Sequence, residues 1–276
     1  MSKRLSSTVG QLVHSSSPKD VHCLRTMIRR IESFISYSHP DLSKRQERAL
    51  EDMAILRKRA GKVRDMDVQM GLLAQLANGS IASDRRMLMT VLKGKRTRLA
   101  KRLTSTVKKL ADAKFFSHME RIAKRSGAKP AVENRPLAPL QEAKTQLAAL
   151  AADFASRQTL KPRRLHEARI KLKMVRYMAE LAEKSAEQQR FLRDLKLVHD
   201  AVGAWHDWAE LARTAEKQFA DRVNSAILME IRSLFAARYS VATSAVLQLF
   251  FSSTPAPAKK PSRSVQNVRA TARNAS

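Results

Sequence analysis

Two short stretches carry nearly all the residues that could do chemistry in this chain. The first is V-H-C-L-R-T-M-I-R-R, from Val21 to Arg30, and the second is L-H-E-A-R-I-K-L-K-M-V-R, from Leu165 to Arg176. At a helical step of about 100° per residue, His22, Arg25 and Arg29 share one face with Thr26 and Ser33, opposite Leu24, Ile28, Ile31 and Ile35. In the second stretch His166, Arg169, Lys173 and Arg176 share a face, opposite Ala168, Leu172, Val175 and Ala179. The stretches align residue for residue, 144 positions apart: His22 with His166, Arg25 with Arg169, Arg29 with Lys173. A cationic face on one helix is ordinarily just solvated. A solvated face also usually mixes both signs of charge, and these stripes contain no acid and repeat the histidine in register. Guanidinium and ammonium groups spaced this way suit phosphate-type oxyanions, with Arg supplying bidentate contacts. The expectation is that Arg25, Arg29, Arg30, Arg169, Lys173 and Arg176 line one shared cationic cavity, with His22 and His166 contributing.

A second matched pair lies about forty residues beyond each stripe. It is L-R-K-R-A-G-K-V-R-D-M-D-V at 56–68 and V-H-D-A-V-G-A-W-H-D-W-A at 198–209. Gly61 aligns with Gly203, and Arg64-Asp65 with His206-Asp207. A mid-helix glycine costs about 1 kcal/mol against alanine, so finding it twice in register predicts close approach of a neighbouring backbone or side chain. Asp67 falls on an apolar stripe, where an unpaired carboxylate is costly, and Arg64 is its expected partner. Trp205 and Trp208 read as core or interface packing.

The whole composition agrees with an anionic partner. In 276 residues, 53 Lys and Arg stand against 25 Asp and Glu, a net charge of +28. Such an excess strains a folded chain by self-repulsion. Nucleic acid, an anionic membrane and polyphosphate are the classes to weigh. Hydrophobic residues at 43% allow a real core, and aromatic residues at 5% argue against a single-strand stacking platform. Cys23 is the only cysteine, which excludes an intrachain disulfide and a cysteine-rich zinc site. His199 and His206 are seven apart, not the three or four of metal-binding helices, so no metal and no cofactor are expected. There is no phosphate-binding G-x-x-x-x-G-K-[ST] loop and no acid cluster suited to Mg²⁺. No apolar run approaches the roughly 18 residues of a membrane span, and the N-terminus does not read as a signal peptide. A reducing cytoplasm is the simplest compartment.

The elements that must hold the stripes are all helical. Residues 1–17 read as a flexible arm. Ser17, Pro18 and Asp20 open a helix that ends near Ser38, before Pro40. A second, capped by Asp41 or Ser43, runs to about Ala77 with Ala49, Met53, Leu56, Ala60, Val63 and Met70 as its buried stripe. A third spans about 83–111 on Leu88, Leu92, Leu99, Leu103 and Leu110. Between Asp84 and Asp112 it holds ten Lys or Arg and no acid. A short helix near 115–124 and a linker at 126–139 precede helices at about 140–157, up to about 184, 187–213 and 216–251. The fold expected is all-α, two helical halves at about 18–125 and 140–252 within a domain at 18–252. Residues 253–276, with three prolines and scattered cations, read as a disordered basic tail.

Taken together, V-H-C-L-R-T-M-I-R-R, G-K-V-R-D-M-D-V at 61–68, L-H-E-A-R-I-K-L-K-M-V-R-Y at 165–177 and V-G-A-W-H-D at 202–207 make the chain resemble a CHAD domain, the conserved-histidine α-helical domain. The likeness covers roughly Pro18 to Phe251, and the second copy has His206-Asp207 where the family more often shows Asn-Asp. The resemblance implies two antiparallel helical bundles related by a pseudo-two-fold axis around a central basic cavity. It also implies inorganic polyphosphate as ligand and association with polyphosphate granules. Carried onto this chain, the binding residues would be His22, Arg25, Arg29, Arg30, Arg57, Arg64, Arg96, Arg98, His166, Arg169, Lys173 and Arg176. Tunnel-type triphosphatases that often share a chain with this domain carry Glu-x-Glu-x-Lys, which is absent here, so a binder is expected and not an enzyme. The alternative is a basic helical protein that binds nucleic acid nonspecifically. Monomer and homodimer both remain open.

Overall fold

A computed structural model describes residues 2–38, 42–76, 79–110, 114–118, 121, 138–155, 160–222 and 225–253. Every regular element among them is helical. The long helices are α1 (Ser2–His14), α2 (Pro18–Ser38), α3 (Lys44–Gln75), α4 (Ala82–Leu110), α5 (Pro139–Ala155), α6 (Pro162–Glu180), α7 (Ala186–Gln218) and α8 (Ala226–Ser253). Their starts follow local chemistry. The backbone N–H of Asp20 donates to Ser17 Oγ at the head of α2. At the head of α3, the Ser43 N–H donates to Gln46 Oε1. Ser185 Oγ accepts from the Gln188 N–H at the head of α7, and Pro162 supplies the first turn of α6, where no backbone donor is needed.

Packing arranges the eight helices as two rings with the same connectivity. In the first, α1 packs on α2, α2 on α3, α3 on α4, and α4 back on α1; in the second, α5, α6, α7 and α8 do the same. Each ring has its own core. Leu12, Leu24, Ile28, Met53, Leu56 and Leu103 are fully buried in one, and Phe154, Leu165, Leu172, Leu195, Ala242 and Val246 are buried in the other. The rings meet through matched helices, α2 on α6 and α3 on α7. A third core joins the far ends of the α3–α4 and α7–α8 hairpins, with Leu73, Leu88 and Leu92 against Trp208, Leu211, Ile227 and Ile231. Trp205 and Trp208 are both core residues, as expected.

Several boundaries differ from the sequence reading. Residues 1–17 do not form a loose arm. From Ser2 to His14 they form α1, whose Val9 and Leu12 are buried in the first core, so the first half begins before residue 18. The chain of serines around it masks the apolar spacing Val9–Leu12–Val13. Pro139 belongs to α5, while the rest of the proposed linker at 126–137 lies outside the described residues, as does the tail beyond Ser253. The break between the last two helices falls at 219–225, later than Arg213, because Ala215 and Phe219 continue the buried stripe of α7. Asp67 pairs with Arg96, not Arg64: Arg96 Nε donates to Asp67 Oδ1 at 2.5 Å. The glycine expectation holds weakly at Gly61, where a Cβ would sit 3.8 Å from Arg25 Nε, and fails at Gly203, where it would meet nothing within 4 Å. The expectation about membrane spans also changes. Ala226–Phe251 of α8 is long and apolar enough to cross a membrane, with a mean hydropathy of 1.3 and 22% of that window buried here.

If α1 closes the first ring, its core residue must matter. Leu12→Ala should destabilise by about 2–5 kcal/mol in urea unfolding, whereas Leu197→Ala, at a side chain 71% exposed, should change little. Equal, small effects from both would return α1 to the status of an arm.

Candidate functional site

The contact of α2 with α6 brings the two stripes face to face. Both helices bury their apolar sides in their own rings: Leu24 and Ile28 from α2, Ala168, Leu172, Val175 and Ala179 from α6. The polar sides are thereby turned toward the junction. Arg25 and Arg29 from α2 and Arg169 and Lys173 from α6 lie close enough that their charges act on one another. All four are half-buried. Burial lowers the proton affinity of Arg25 and of Arg169, and burial together with Arg169, Arg29 and Arg25 pushes Lys173 down to about 7. Arg169 Nε is buried with no hydrogen-bond partner among the described residues.

Two acids oppose this charge, and they come from the second matched pair. Asp65 Oδ1 on α3 lies 3.9 Å from Arg25 Nη1. Asp207 on α7 is the charge that most favours the protonated form of Arg169. Asp65 is itself held above the usual carboxylate range, chiefly by burial and against the pull of Arg25 and His206. Each ring thus supplies one arginine with one aspartate in the same register. The alignment of Asp65 with Asp207 was visible in the sequence, but nothing there said that the pair would face the stripes.

The remaining candidates spread outward from this centre. Arg30 Nε reaches Glu180 Oε2 at 3.6 Å across the ring junction, and Arg176 Nε donates to Glu180 Oε1 at 3.0 Å, so these two sit together at one edge. His22 and His166 are both exposed. Burial lowers the pKa of each; the cations that add to this are Arg64 and Arg25 at His22, and His206, Arg169 and Lys173 at His166. Arg64 therefore belongs near His22. His166 stacks on His206 with ring centroids 5.6 Å apart, and both line a pocket of about 590 Å³ with Trp205 and Arg213. His199 is a structural residue: its Nε2 lies 3.1 Å from the Leu172 carbonyl, and burial and Arg176 push it down to about 4. Arg57 is paired with Glu32 at 2.8 Å. Arg96 is held by Asp67 and donates to the Ser16 carbonyl at 2.8 Å, and Arg98 stands exposed on α4. None of these last three touches the central group. No three His, Cys, Asp or Glu side chains gather as a metal site among the described residues.

Lys173 makes the cost of this cluster measurable. Unfolded, the side chain holds its proton to about pH 10.5; folded, it releases it near pH 7. Between those values the unfolded chain binds the extra proton, so stability contributed by this site rises with pH, and the penalty is fully present below pH 7. The stability of the native chain should therefore climb from pH 7 to pH 9.5 relative to Lys173→Gln. Parallel curves for the two proteins, in urea titrations at fixed salt, would mean that Lys173 keeps its charge.

The chain was compared with proteins of known sequence and structure. In sequence, no curated protein matches it. In structure it is similar to the CHAD domain from the plant Ricinus communis, with a TM-score of 0.61 at 15% identity, over 91% of this chain and 87% of that one. It is also similar to PptA from Streptomyces chartreusis, with a TM-score of 0.56 at 16% identity, over 91% and 97% of the two chains. These likenesses concern the fold. The sequence model of the CHAD domain matches residues 3–216, which begins inside α1 and takes in both stripes and both glycine motifs, and the chain is therefore a member of the CHAD domain family.

Proposed function

We propose that this protein binds inorganic polyphosphate in the cluster formed by Arg25, Arg29, Arg169 and Lys173, and does so as a binder without catalytic groups of its own. The observation that carries the reading is the convergence of these four half-buried cations, opposed by Asp65 and Asp207 among the described residues. A fold has no structural use for such a group, since separating the charges would stabilise it. A chain of phosphates would relieve the repulsion and could satisfy the orphaned Arg169 Nε, with Arg30 and Arg176 meeting it at the edge. Polyphosphate suits the site because it has about one negative charge per phosphate and no bases to stack. Membership of the family supports the same ligand class, and by that route a cytoplasmic location on polyphosphate granules.

Binding should raise the melting temperature and weaken steeply with salt. Replacing Arg25 and Arg169 together by Glu should lower affinity at least about tenfold, or 1.4 kcal/mol. Replacing Lys108 and Lys109 by Glu should change it less than about threefold, although the net charge changes equally. Equal losses, with both variants folded by circular dichroism, would show that overall charge holds the polymer.

Lys173 gives a second test. Phosphates beside it favour its protonated form, so binding should take up a proton and weaken as pH rises from 7 to 9. Lys173→Arg should flatten that dependence; an unchanged pH profile in this variant would remove Lys173 from the site.

A further inference from the structure

The outer face of α4 carries a second concentration of cations that the central cluster does not use. Arg86, Lys93, Arg98, Lys101, Arg102, Lys108 and Lys109 are all exposed, and none forms an ion pair with a described residue; the ion pairs that α4 makes with described residues are Arg96 with Asp67 and Asp84 with Arg222. At about 100° per residue these cations fall into two rows. Arg86, Lys93, Lys101 and Lys108 follow one edge of the exposed arc, and Arg98, Arg102 and Lys109 follow the other. Gly94 and Ser105 lie between the rows, with Met87 between them only at the N-terminal end. A Cβ at Gly94 would meet nothing within 4 Å, so packing inside the protein does not ask for this mid-helix glycine. Beyond Met87, the residues at Gly94 and Ser105 put no large side chain between the rows.

From this arrangement we infer that α4 is a docking surface for the backbone of B-form duplex DNA, read without sequence preference. Two rows of cations match two phosphate backbones, where a single polyphosphate chain would need one row. An α-helix with side chains is about 10–12 Å across, close to the roughly 12 Å width of the major groove, and 29 residues give α4 a length of about 43 Å. Single strands are disfavoured, because the exposed face has no aromatic side chain for a base to stack on. Nonspecific binding follows from the absence of Asn or Gln on the face to read base edges. The charge does not recur on the matching helix of the second ring. In the second ring α8 occupies the corresponding place and exposes Ser233, Ala237, Ser240, Ser244 and Gln248, with Arg232 and Arg238 as its only fully exposed charges.

The test uses the full chain and a fluorescent 24-base-pair DNA duplex, followed by anisotropy across a salt series. The four substitutions Lys93→Gln, Arg98→Gln, Lys101→Gln and Arg102→Gln lie on solvent and keep the fold and the tail. Together they should weaken duplex binding at least about tenfold and reduce the slope of log affinity against log salt by about 3–4. Arg25→Gln with Arg169→Gln should leave duplex affinity within about twofold, and the α4 variant should keep polyphosphate binding within about threefold. Duplex RNA of the same length should bind less well, since its major groove does not admit a helix. The inference is overturned if the α4 variant holds DNA as the native chain does, or if the Arg25/Arg169 pair costs as much DNA affinity as the α4 set. It is also overturned if the α4 variant loses polyphosphate in parallel with DNA, or if RNA and DNA bind equally. Failure of polyphosphate to bind the native chain would strike the central cluster alone and leave this result standing.

Discussion

Four like charges held within reach of one another are the constraint to which the rest of the fold responds. Like charges that are partly withdrawn from water repel more strongly than they do in bulk solvent. Arg25, Arg29, Arg169 and Lys173 contain several pairs, with Asp65 and Asp207 as the nearby opposition. No single contact can hold such a cluster closed. Leu24 and Ile28 anchor α2, and Leu165, Leu172 and Val175 anchor α6, each side chain buried to within a few per cent. Fully buried aliphatic side chains contribute about 1.5–3 kcal/mol apiece. The third core adds a clamp at a distance, so that the rings cannot separate at α2 and α6 without also exposing Leu88, Trp208 and Ile231.

The asymmetry between the rings bears on how the cluster works. Arg29 and Lys173 occupy the same register, yet arginine keeps its charge at any physiological pH and this lysine titrates near 7. The ring junction therefore has three fixed cations and one that answers to its surroundings. Similarly, Val63 and Arg64 correspond to Trp205 and His206, and the second ring alone gains a stacked imidazole pair beside a pocket. The doubled sequence builds the frame, and the departures from doubling fall both in the core, at Trp205, and beside the pocket, at His206.

How much of this could be read beforehand depended on the range of the interactions involved. The faces of α2 and α6 were legible because helical periodicity is local: Leu24, Ile28, Ala168 and Leu172 are buried where their spacing says. That the cationic faces meet followed from the same pattern once the repeat was recognised. What escaped were pairings set by tertiary neighbours. Arg96 competes successfully for Asp67 from a different helix, Arg57 is taken by Glu32, and Asp65 reaches Arg25 because α3 packs on α2. The α1 helix escaped for another reason. Its serines read as disorder by composition, while Val9 and Leu12 are buried in the first core and Val13 packs beside them.

The two cationic regions differ in kind, and the difference is one of desolvation. On α4 the charges stand in water, where each keeps its hydration and its counterions, so their attraction for a polyanion is mostly counterion release and carries little selectivity. At the ring junction burial has already stripped much of the water from Arg25, Arg169 and Lys173, as their lowered proton affinities register. The free protein bears that desolvation in advance. An anion placed there would meet donors with less water to exchange, in a medium where each contact is stronger than on the surface. On the proposed reading, the same feature that weakens the empty fold would favour one thin, densely charged chain at the junction over the better-hydrated surface of α4.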